Sequence, residues 1–183
     1  MSVDPSPIPL PQSAAEQISA AVAAAFDDQI RFLADFVAIP SLRFEEGTAQ
    51  DYMAQALRDR GYTVDDWTIK LEDLEHLPGF GPIHGDFSKG RSLILQGHLD
   101  VVPAGPVEMW KHHPFDPVIE NGWMNGRGAG DMKAGTVAAL FALDAIKVAG
   151  FEPAATVHLQ SVIEEESTGL GALSTLQRGY RAD

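Results

Sequence analysis

Acidic and imidazole side chains follow two apolar segments of the sequence at the point where each segment ends. His98 and Asp100 come directly after the apolar run at 92–96, and three consecutive glutamates, 164–166, follow the apolar run at 155–163. If both runs are strands of an open α/β sheet, these side chains lie beyond the carboxyl ends of the strands, where such sheets bind ligands. Imidazole nitrogen and carboxylate oxygen are ligands that suit zinc, with manganese or cobalt as substitutes. The sequence therefore predicts a divalent metal site at this edge.

A third carboxylate, Asp131, stands just before an alanine-rich segment, 136–148, that is typical of a helix. Backbone N–H groups and the helix dipole favour an anion at such a position. Each feature alone has a simpler interpretation, because an aspartate at a helix start is most often an N-cap and an acidic run is most often solvated. Three glutamates after a buried strand, however, crowd like charges together, and a cation removes that cost. The combination favours metal ligation.

The glycine-rich run 126–130 invites a competing interpretation, a dinucleotide-binding loop. That fingerprint requires a third glycine where Asp131 stands and a long strand before it. A carboxylate there would also repel a pyrophosphate. The sequence therefore argues against nucleotide binding.

The composition excludes several other classes of protein. The chain has 26 acidic and 13 basic residues and a formal net charge of -13, and such a surface repels nucleic acids and anionic lipids. Cysteine is absent, which excludes disulfides and thiolate ligands and fits a reducing cytoplasm. Residues 1–12 lack the basic and apolar segments of an export signal, and no apolar run approaches the roughly 18 residues of a membrane span. We therefore expect a cytoplasmic protein without nucleic-acid or membrane partners.

The remaining pattern predicts the elements that position these side chains. Residues 1–12 hold four prolines and are expected to form a disordered tail. Helices are predicted over 13–37, 45–60, 136–148 and from about 169, strands over 62–69, 92–96, 123–125 and 155–163, and a long surface loop over 70–89. Strands that alternate with helices indicate an α/β domain with helices on both faces of a largely parallel sheet.

Four motifs in the same order resemble the di-zinc amidohydrolase family that includes acetylornithine deacetylase, succinyl-diaminopimelate desuccinylase, aminoacylase and glutamate carboxypeptidase. They are GHLDVVP at 97–103, Trp110 with Pro114 and Phe115, GRGAGDMKAG at 126–135, and the glutamates 164–166 with Gly169 and Gly171. The resemblance covers about residues 27–183. It implies a three-layer α/β/α zinc-peptidase-like catalytic domain with a mostly parallel central sheet, of which residues 13–183 would be the N-terminal part.

The resemblance also implies a role for each site residue. His98 would ligate one zinc ion, and Asp100 would hold its imidazole in the ligating tautomer. Asp131 would bridge two zinc ions, about 3.5 to 4 Å apart. One glutamate would be the general base on the attacking water, and its neighbour would bind the second zinc ion.

The glutamate cluster admits two registers. In the first, Glu164 is a leading acid, Glu165 is the general base and Glu166 is the metal ligand. In the second, Glu164 is the base and Glu165 the ligand. The spacing to Gly171 favours the first register.

The reaction that the resemblance implies is hydrolysis of an amide bond in N-acyl amino acids or small peptides. Zinc would polarise the carbonyl and activate water, and the glutamate would carry the proton to the leaving amine. The stretch 161–169 is most similar to the deacetylase and desuccinylase branch, which favours deacylation over dipeptide cleavage.

Family members are longer than this chain. We therefore expect the inserted dimerisation domain and the C-terminal ligands of a homodimeric parent to be absent, and the chain to be an inactive fragment. The alternative is a stand-alone truncated module that binds a metal or a partner without catalysis.

Several residues near the motifs are expected to have structural roles. Two histidines belong to a polar surface loop, three aromatic residues pack the loops beside the site, and two cations position the turn at Asp131. These are His112 and His113, then Trp110, Phe115 and Trp123, and finally Arg127 and Lys133.

Overall fold

Helices and short strands alternate along the chain in the computed structural model, which describes residues 11–70 and 90–183. The elements are α1 (Gln12–Val37), α2 (Gly47–Asp59), β1 (Leu93–His98), β2 (Val118–Glu120), β3 (Trp123–Asn125), α3 (Ala134–Val148), β4 (Val157–Val162) and α4 (Leu170–Gln177). A turn of 3-10 helix, Val107–Met109, precedes β2, and an irregular turn, Ala129–Lys133, in which Asp131 and Met132 depart from helical φ and ψ, leads into α3. Within the two described ranges, no helix is both long and apolar enough to cross a membrane.

The parallel pair β1 and β4 carries the predicted site residues at its carboxyl end. The register runs from Leu93 opposite Val157 to His98 opposite Val162. Because the strands are parallel and end together, the residues that follow both strands meet at one edge, as the sequence predicts.

A small antiparallel hairpin is formed by β2 and β3. Its connecting residues, Asn121 and Gly122, both have positive φ, 52° and 80°, as two-residue hairpin turns require. The predicted strand at 123–125 is thus confirmed. Its partner β2, which is equally short, is not among the strands that the sequence predicts.

The core lies where α1, α2 and α3 pack together. Its buried residues include Phe36 and Val37 of α1, Met53 of α2, and Val137 and Leu140 of α3. The core sets the position of α1 relative to α3, and therefore the position of the turn that precedes α3.

Close approach of α3 to β1 depends on Gly97. A Cβ at this position would lie 2.3 Å from Oγ1 of Thr136 and 3.2 Å from Cε of Met132. Only glycine leaves room for the start of α3 beside the end of β1. This contact brings the turn Ala129–Lys133 to the same edge of the sheet as His98.

The predicted strand at 62–69 is wrong, since the structure gives residues 62–70 no strand. Their contacts are made by side chains: Trp67 donates to Oγ of Ser174 at 2.7 Å, and Arg178 donates to the carboxylate of Asp65 at 2.8 and 2.9 Å. The apolar alternation in this segment therefore reflects packing against the region of α4 rather than backbone pairing.

Two sequence-based predictions fall largely outside the described residues. The predicted tail, 1–12, is described only from residue 11, and Gln12 already belongs to α1. The predicted loop, 70–89, is described only at residue 70.

Candidate metal centre

His98 is the last residue of β1, and its side chain is 4% exposed. Its Nδ1 lies 3.0 Å from the backbone oxygen of Asp100. A carbonyl oxygen only accepts hydrogen bonds, so this contact requires a proton on Nδ1 and leaves the lone pair on Nε2 of the neutral ring. The Nε2 atom is therefore available to ligate a metal ion.

Asp131 is presented by the turn Ala129–Lys133. Gly128 precedes this turn with φ 81°, and a Cβ there would lie 2.6 Å from Cγ1 of Val101. Both the backbone conformation and the close approach to the chain after β1 thus require glycine. The turn places Oδ1 of Asp131 3.2 Å from Nε2 of His98, and the Asp131 side chain is 79% exposed.

Glu164 is bound within its own loop. Its carboxylate accepts two hydrogen bonds from Arg43, at 2.8 and 3.1 Å, and one each from the hydroxyl groups of Ser167 and Thr168, at 2.9 and 2.7 Å. The hydrogen bond from Arg43 is the main reason that the pKa of Glu164 falls to about 2. This carboxylate is therefore ionised and already satisfied by protein donors.

The next two glutamates face the other site residues. Oε2 of Glu165 lies 3.6 Å from Nε2 of His98, and the backbone N–H of Glu166 donates to Oδ2 of Asp100 at 3.1 Å. Burial raises the pKa of Glu166, and the charges of Asp131, Glu165 and Asp100 raise it further. The cluster thus places like charges against one another.

Three ligand atoms, one each from His98, Asp131 and Glu166, lie within 4.8 Å of one another. The lone pair on Nε2 of His98 and Oδ1 of Asp131 face each other, which is repulsive unless a cation or a proton lies between them. Burial is the main reason that the pKa of Glu166 is raised, and the nearby charge of Asp131 adds to it. Imidazole and carboxylate ligands suit zinc, so the residues that are present fit a divalent metal ion.

The side chain of Asp100 makes a contact that sequence reasoning did not anticipate. Its Oδ1 is 3.6 Å from Nδ1 of His98, farther than its own backbone oxygen at 3.0 Å. Its Oδ2 accepts the N–H of Glu166, while Oδ1 is buried without a hydrogen bond from the described residues. The backbone of Asp100 orients the imidazole, and its carboxylate connects the end of β1 to the glutamate loop.

Ser41 and Arg43 contact the site segments but were missed by sequence reasoning. The hydroxyl of Ser41 donates to the backbone oxygen of Leu99 at 2.5 Å, and Arg43 pairs with Glu164. No spacing pattern connects an arginine in a loop with a glutamate so far along the chain. The one local signal is the helix break at Pro40, after which the chain turns toward the strand ends.

The positions of Lys133, Trp110 and His113 agree with the structural roles expected for them. Lys133 is fully buried behind the Asp131 turn, the indole N–H of Trp110 donates to the backbone oxygen of Ala104, and His113 is exposed. Trp123 differs, because it is 76% exposed. It lies on a two-stranded hairpin whose outer face the described residues leave open, so it does not pack the loops beside the site.

A cavity of about 260 Å³ adjoins the Asp131 turn. Trp110 and Met124 line it with apolar surface, Lys111 and His112 with polar groups, and Gly130 closes the side next to Asp131. The cavity thus borders the turn that carries Asp131, although His98, Asp131 and Glu166 are not among its lining residues.

Comparisons with known proteins agree with the motifs. Residues 94–183 match the peptidase family M20/M25/M40. The chain is 40% identical over 145 residues to the N-formyl-4-amino-5-aminomethyl-2-methylpyrimidine deformylase of Bacillus subtilis. This match covers 79% of this chain and 33% of that protein. It is 36% identical over 116 residues to the succinyl-diaminopimelate desuccinylase of Pseudomonas fluorescens, covering 63% of this chain and 29% of that protein.

Two solved structures share the fold. The dipeptidase Dug1p of Saccharomyces cerevisiae superimposes with a TM-score of 0.68 at 21% identity, covering 88% of this chain and 37% of that one. Human carnosine dipeptidase 1 superimposes with a TM-score of 0.65 at 24% identity, and the match covers 85% of this chain and 36% of that one. The predicted α/β fold with a parallel sheet is thereby confirmed. The chain spans about a third of the length of the two curated relatives above. Through residues 94–183, it carries a domain of the M20/M25/M40 peptidase family.

Proposed function

We propose that the protein is a zinc-dependent amidohydrolase that removes an acyl group from a small amine, and that this chain supplies metal ligands and the general base. The observation that carries the proposal is the convergence of His98, Asp131 and Glu166 within 4.8 Å, with Glu165 beside them. Structural ion pairs also bring charges together, but here the carboxylates of Asp131, Glu165 and Glu166 lie near a single imidazole, and one protonated imidazole would not balance their charge.

The proposed roles follow from the contacts of each residue. His98, Asp131 and Glu166 would hold the metal, and Asp131, whose side chain is 79% exposed, would be shared between two ions. Zinc, when bound, would supply a Lewis acid for the carbonyl and would lower the pKa of a water ligand toward about 7.

Glu165 is the proposed base. Its side chain is 58% exposed and its carboxylate lies 3.6 Å from Nε2 of His98, so water and substrate can reach it. Glu165 accepts a proton from the attacking water and donates it to the amine nitrogen as the C–N bond breaks. The products are a carboxylic acid and a free amine.

N-acyl amino acids and small peptides are the proposed substrates, with deacylation preferred. The two relatives described above, at 40% and 36% identity, are named for removing a formyl and a succinyl group. The cavity beside Asp131 offers apolar and cationic surface for a small acyl group or side chain. A cytoplasmic homodimer is the form that the family resemblance implies, and we propose it for the whole protein.

The metal is tested first, by elemental analysis of the purified chain. We expect near-stoichiometric zinc, and loss of zinc in a His98→Ala/Asp131→Ala variant. A matched control is His113→Ala/Asp116→Ala, which removes the same residue types at exposed positions away from the ligands and should retain zinc. Absence of zinc from the unaltered chain would contradict the proposed centre.

The reaction is tested in a chimera, in which the 145 aligned residues of this chain replace the matched segment of the Bacillus subtilis relative. We expect hydrolysis of an N-acyl substrate, and its loss in the Glu165→Gln chimera with zinc retained. A folded, zinc-loaded chimera without hydrolysis would instead support the alternative, a metal-binding module without catalysis.

A further inference from the structure

One short segment contacts all three of the segments that carry candidate ligands. It comprises residues 39–43, between α1 and α2, and it is extended enough for Leu42 to form a parallel bridge with Val101. We propose that the 39–43 segment positions the metal ligands. Ile39, Ser41 and Arg43 each contact one of the three segments that carry a candidate ligand. This inference rests on the proposed function, because it concerns the same metal centre.

The first contact holds the Asp131 turn. Nζ of Lys133 donates to the backbone oxygen of Ile39 at 2.7 Å and to that of Phe36 at 2.9 Å. Lys133 is completely buried, and its ammonium lies 4.8 Å from the centre of the Phe36 ring. A cation near the last carbonyl groups of a helix is favourable, so α1 binds the lysine through its C-terminal end. Asp131 is two residues away along the same turn.

The second contact holds the end of β1. Ser41 is completely buried, its hydroxyl donates to the oxygen of Leu99 at 2.5 Å, and its own oxygen accepts the N–H of Val101 at 3.0 Å. These two bonds flank Asp100, whose backbone oxygen orients His98. The position of the imidazole therefore depends on Ser41.

The third contact holds the glutamate loop. Arg43 donates twice to the carboxylate of Glu164, and the oxygen of Glu164 accepts the N–H groups of Thr168 and Gly169 at 2.9 and 2.7 Å. Glu164 thus organises the loop 164–169, and Arg43 attaches that loop to the 39–43 segment. Glu165 and Glu166 are the next residues of the loop.

The β-sheet alone does not set these positions. The ladder between β1 and β4 ends at the pair His98 and Val162, so it extends neither to Asp131 nor to the glutamates. The 39–43 segment lies across the three chain segments beyond the ladder and bonds to each. Partners that orient metal ligands in this way typically affect metal affinity by about 10- to 100-fold.

The test is a titration of each purified protein with Co²⁺, followed by visible absorption and by competition with a chelator. Arg43→Met is the principal variant, because the ion pair of Arg43 is half-exposed and its removal leaves no cavity in the core. Ser41→Ala and Lys133→Met test the other two contacts. Arg60→Met is the matched control, since Arg60 also makes a partly buried ion pair, 2.7 Å from Asp144, but this pair links the end of α2 to α3 and involves none of the candidate ligands.

We expect Arg43→Met to weaken Co²⁺ binding by about 10- to 100-fold and to shift its absorption bands, with partial recovery in Arg43→Lys. Arg60→Met should lower thermal stability without changing affinity or spectrum. If Arg43→Met binds Co²⁺ as tightly as the unaltered chain and loses only stability, the segment is merely structural and this inference is overturned while the proposed function stands. If the unaltered chain binds no Co²⁺, both are overturned.

Discussion

The guanidinium of Arg43 and the carboxylate of Glu164 form a two-point ion pair, with Nε to Oε1 at 2.8 Å and Nη2 to Oε2 at 3.1 Å. The pair leaves Glu164 fully engaged, since two hydroxyl groups donate to the same carboxylate. Of the two registers open to the glutamate cluster, the contacts therefore favour Glu165 as base and Glu166 as ligand.

That register makes a prediction about two neighbouring substitutions. Glu165→Gln should leave zinc content unchanged and lower kcat by about 10²- to 10⁴-fold, because it removes proton transfer. Glu166→Gln should lose zinc, because an amide is a poor ligand for this ion. Zinc analysis and initial rates on the two chimeric variants distinguish the registers. Loss of zinc in Glu165→Gln, with retention in Glu166→Gln, would favour the second register.

The ion pair also predicts a coupling between two distant positions. Arg43→Met and Glu164→Gln should each lower the free energy of unfolding, and the double variant should lose less than the sum, because both single changes remove the same interaction. Urea denaturation of the four proteins measures the difference. Strict additivity would mean that the two side chains do not interact in solution.

Gly171 is expected to tolerate no side chain. A Cβ there would lie 2.1 Å from the backbone oxygen of Ile163 and 2.8 Å from its nitrogen, and backbone atoms cannot rotate away. Gly171→Ala should therefore cost at least about 1–3 kcal/mol of stability, the usual penalty of overpacking, and should weaken zinc binding because Ile163 precedes the glutamate cluster. Gly47→Ala is the control, since nothing lies within 4 Å of its Cβ. Equal midpoints of urea denaturation for the two variants would contradict the close contact.

Tyr180 gives a pH prediction away from the metal centre. Burial, followed by a hydrogen bond to Asp65, raises the pKa of its hydroxyl from 10.0 to about 12. A raised pKa means that the folded state binds the proton more tightly, so this contribution to stability is complete below pH 10 and is lost as pH rises towards about 12.

The measurement is the ultraviolet absorbance of tyrosinate in the unaltered chain minus that of Tyr180→Phe. We expect the difference curve to have its midpoint close to 12, and the stability advantage of the unaltered chain in urea denaturation to shrink as the pH rises from 10.0 towards about 12. A midpoint at the ordinary value would show that the hydroxyl is not held by Asp65.

Sequence reasoning located the ligand candidates because their positions depend on local features. His98 and the glutamates follow apolar runs, and the parallel pairing of those runs brings their ends together. Asp131 precedes an alanine-rich helix. These relations need only the alternation of elements and the rule that ligands bind at strand ends.

The residues that hold the ligands were not predictable in the same way. Ser41 and Arg43 act from a loop whose position depends on how α1 packs against α3, which no periodicity encodes. The choice between Glu164 and Glu165 depends on a backbone turn, since Glu164 has φ 64°. The alternation in 62–69 was misleading because tertiary packing can satisfy it without a strand.

The parallel pairing of β1 and β4 has a consequence for folding kinetics. Gln96 and Gln160, neighbours across the ladder, are 64 residues apart, and the ladder cannot close until the intervening crossover has been formed. Contacts at such separation are slow to form, because the entropy of loop closure is lost before any contact energy is gained. We therefore expect His98 and Glu166 to meet late, so that a partly folded chain has not yet brought these two candidate ligands together. Bound metal would act on the native state alone, slowing unfolding while leaving the early steps of folding unchanged.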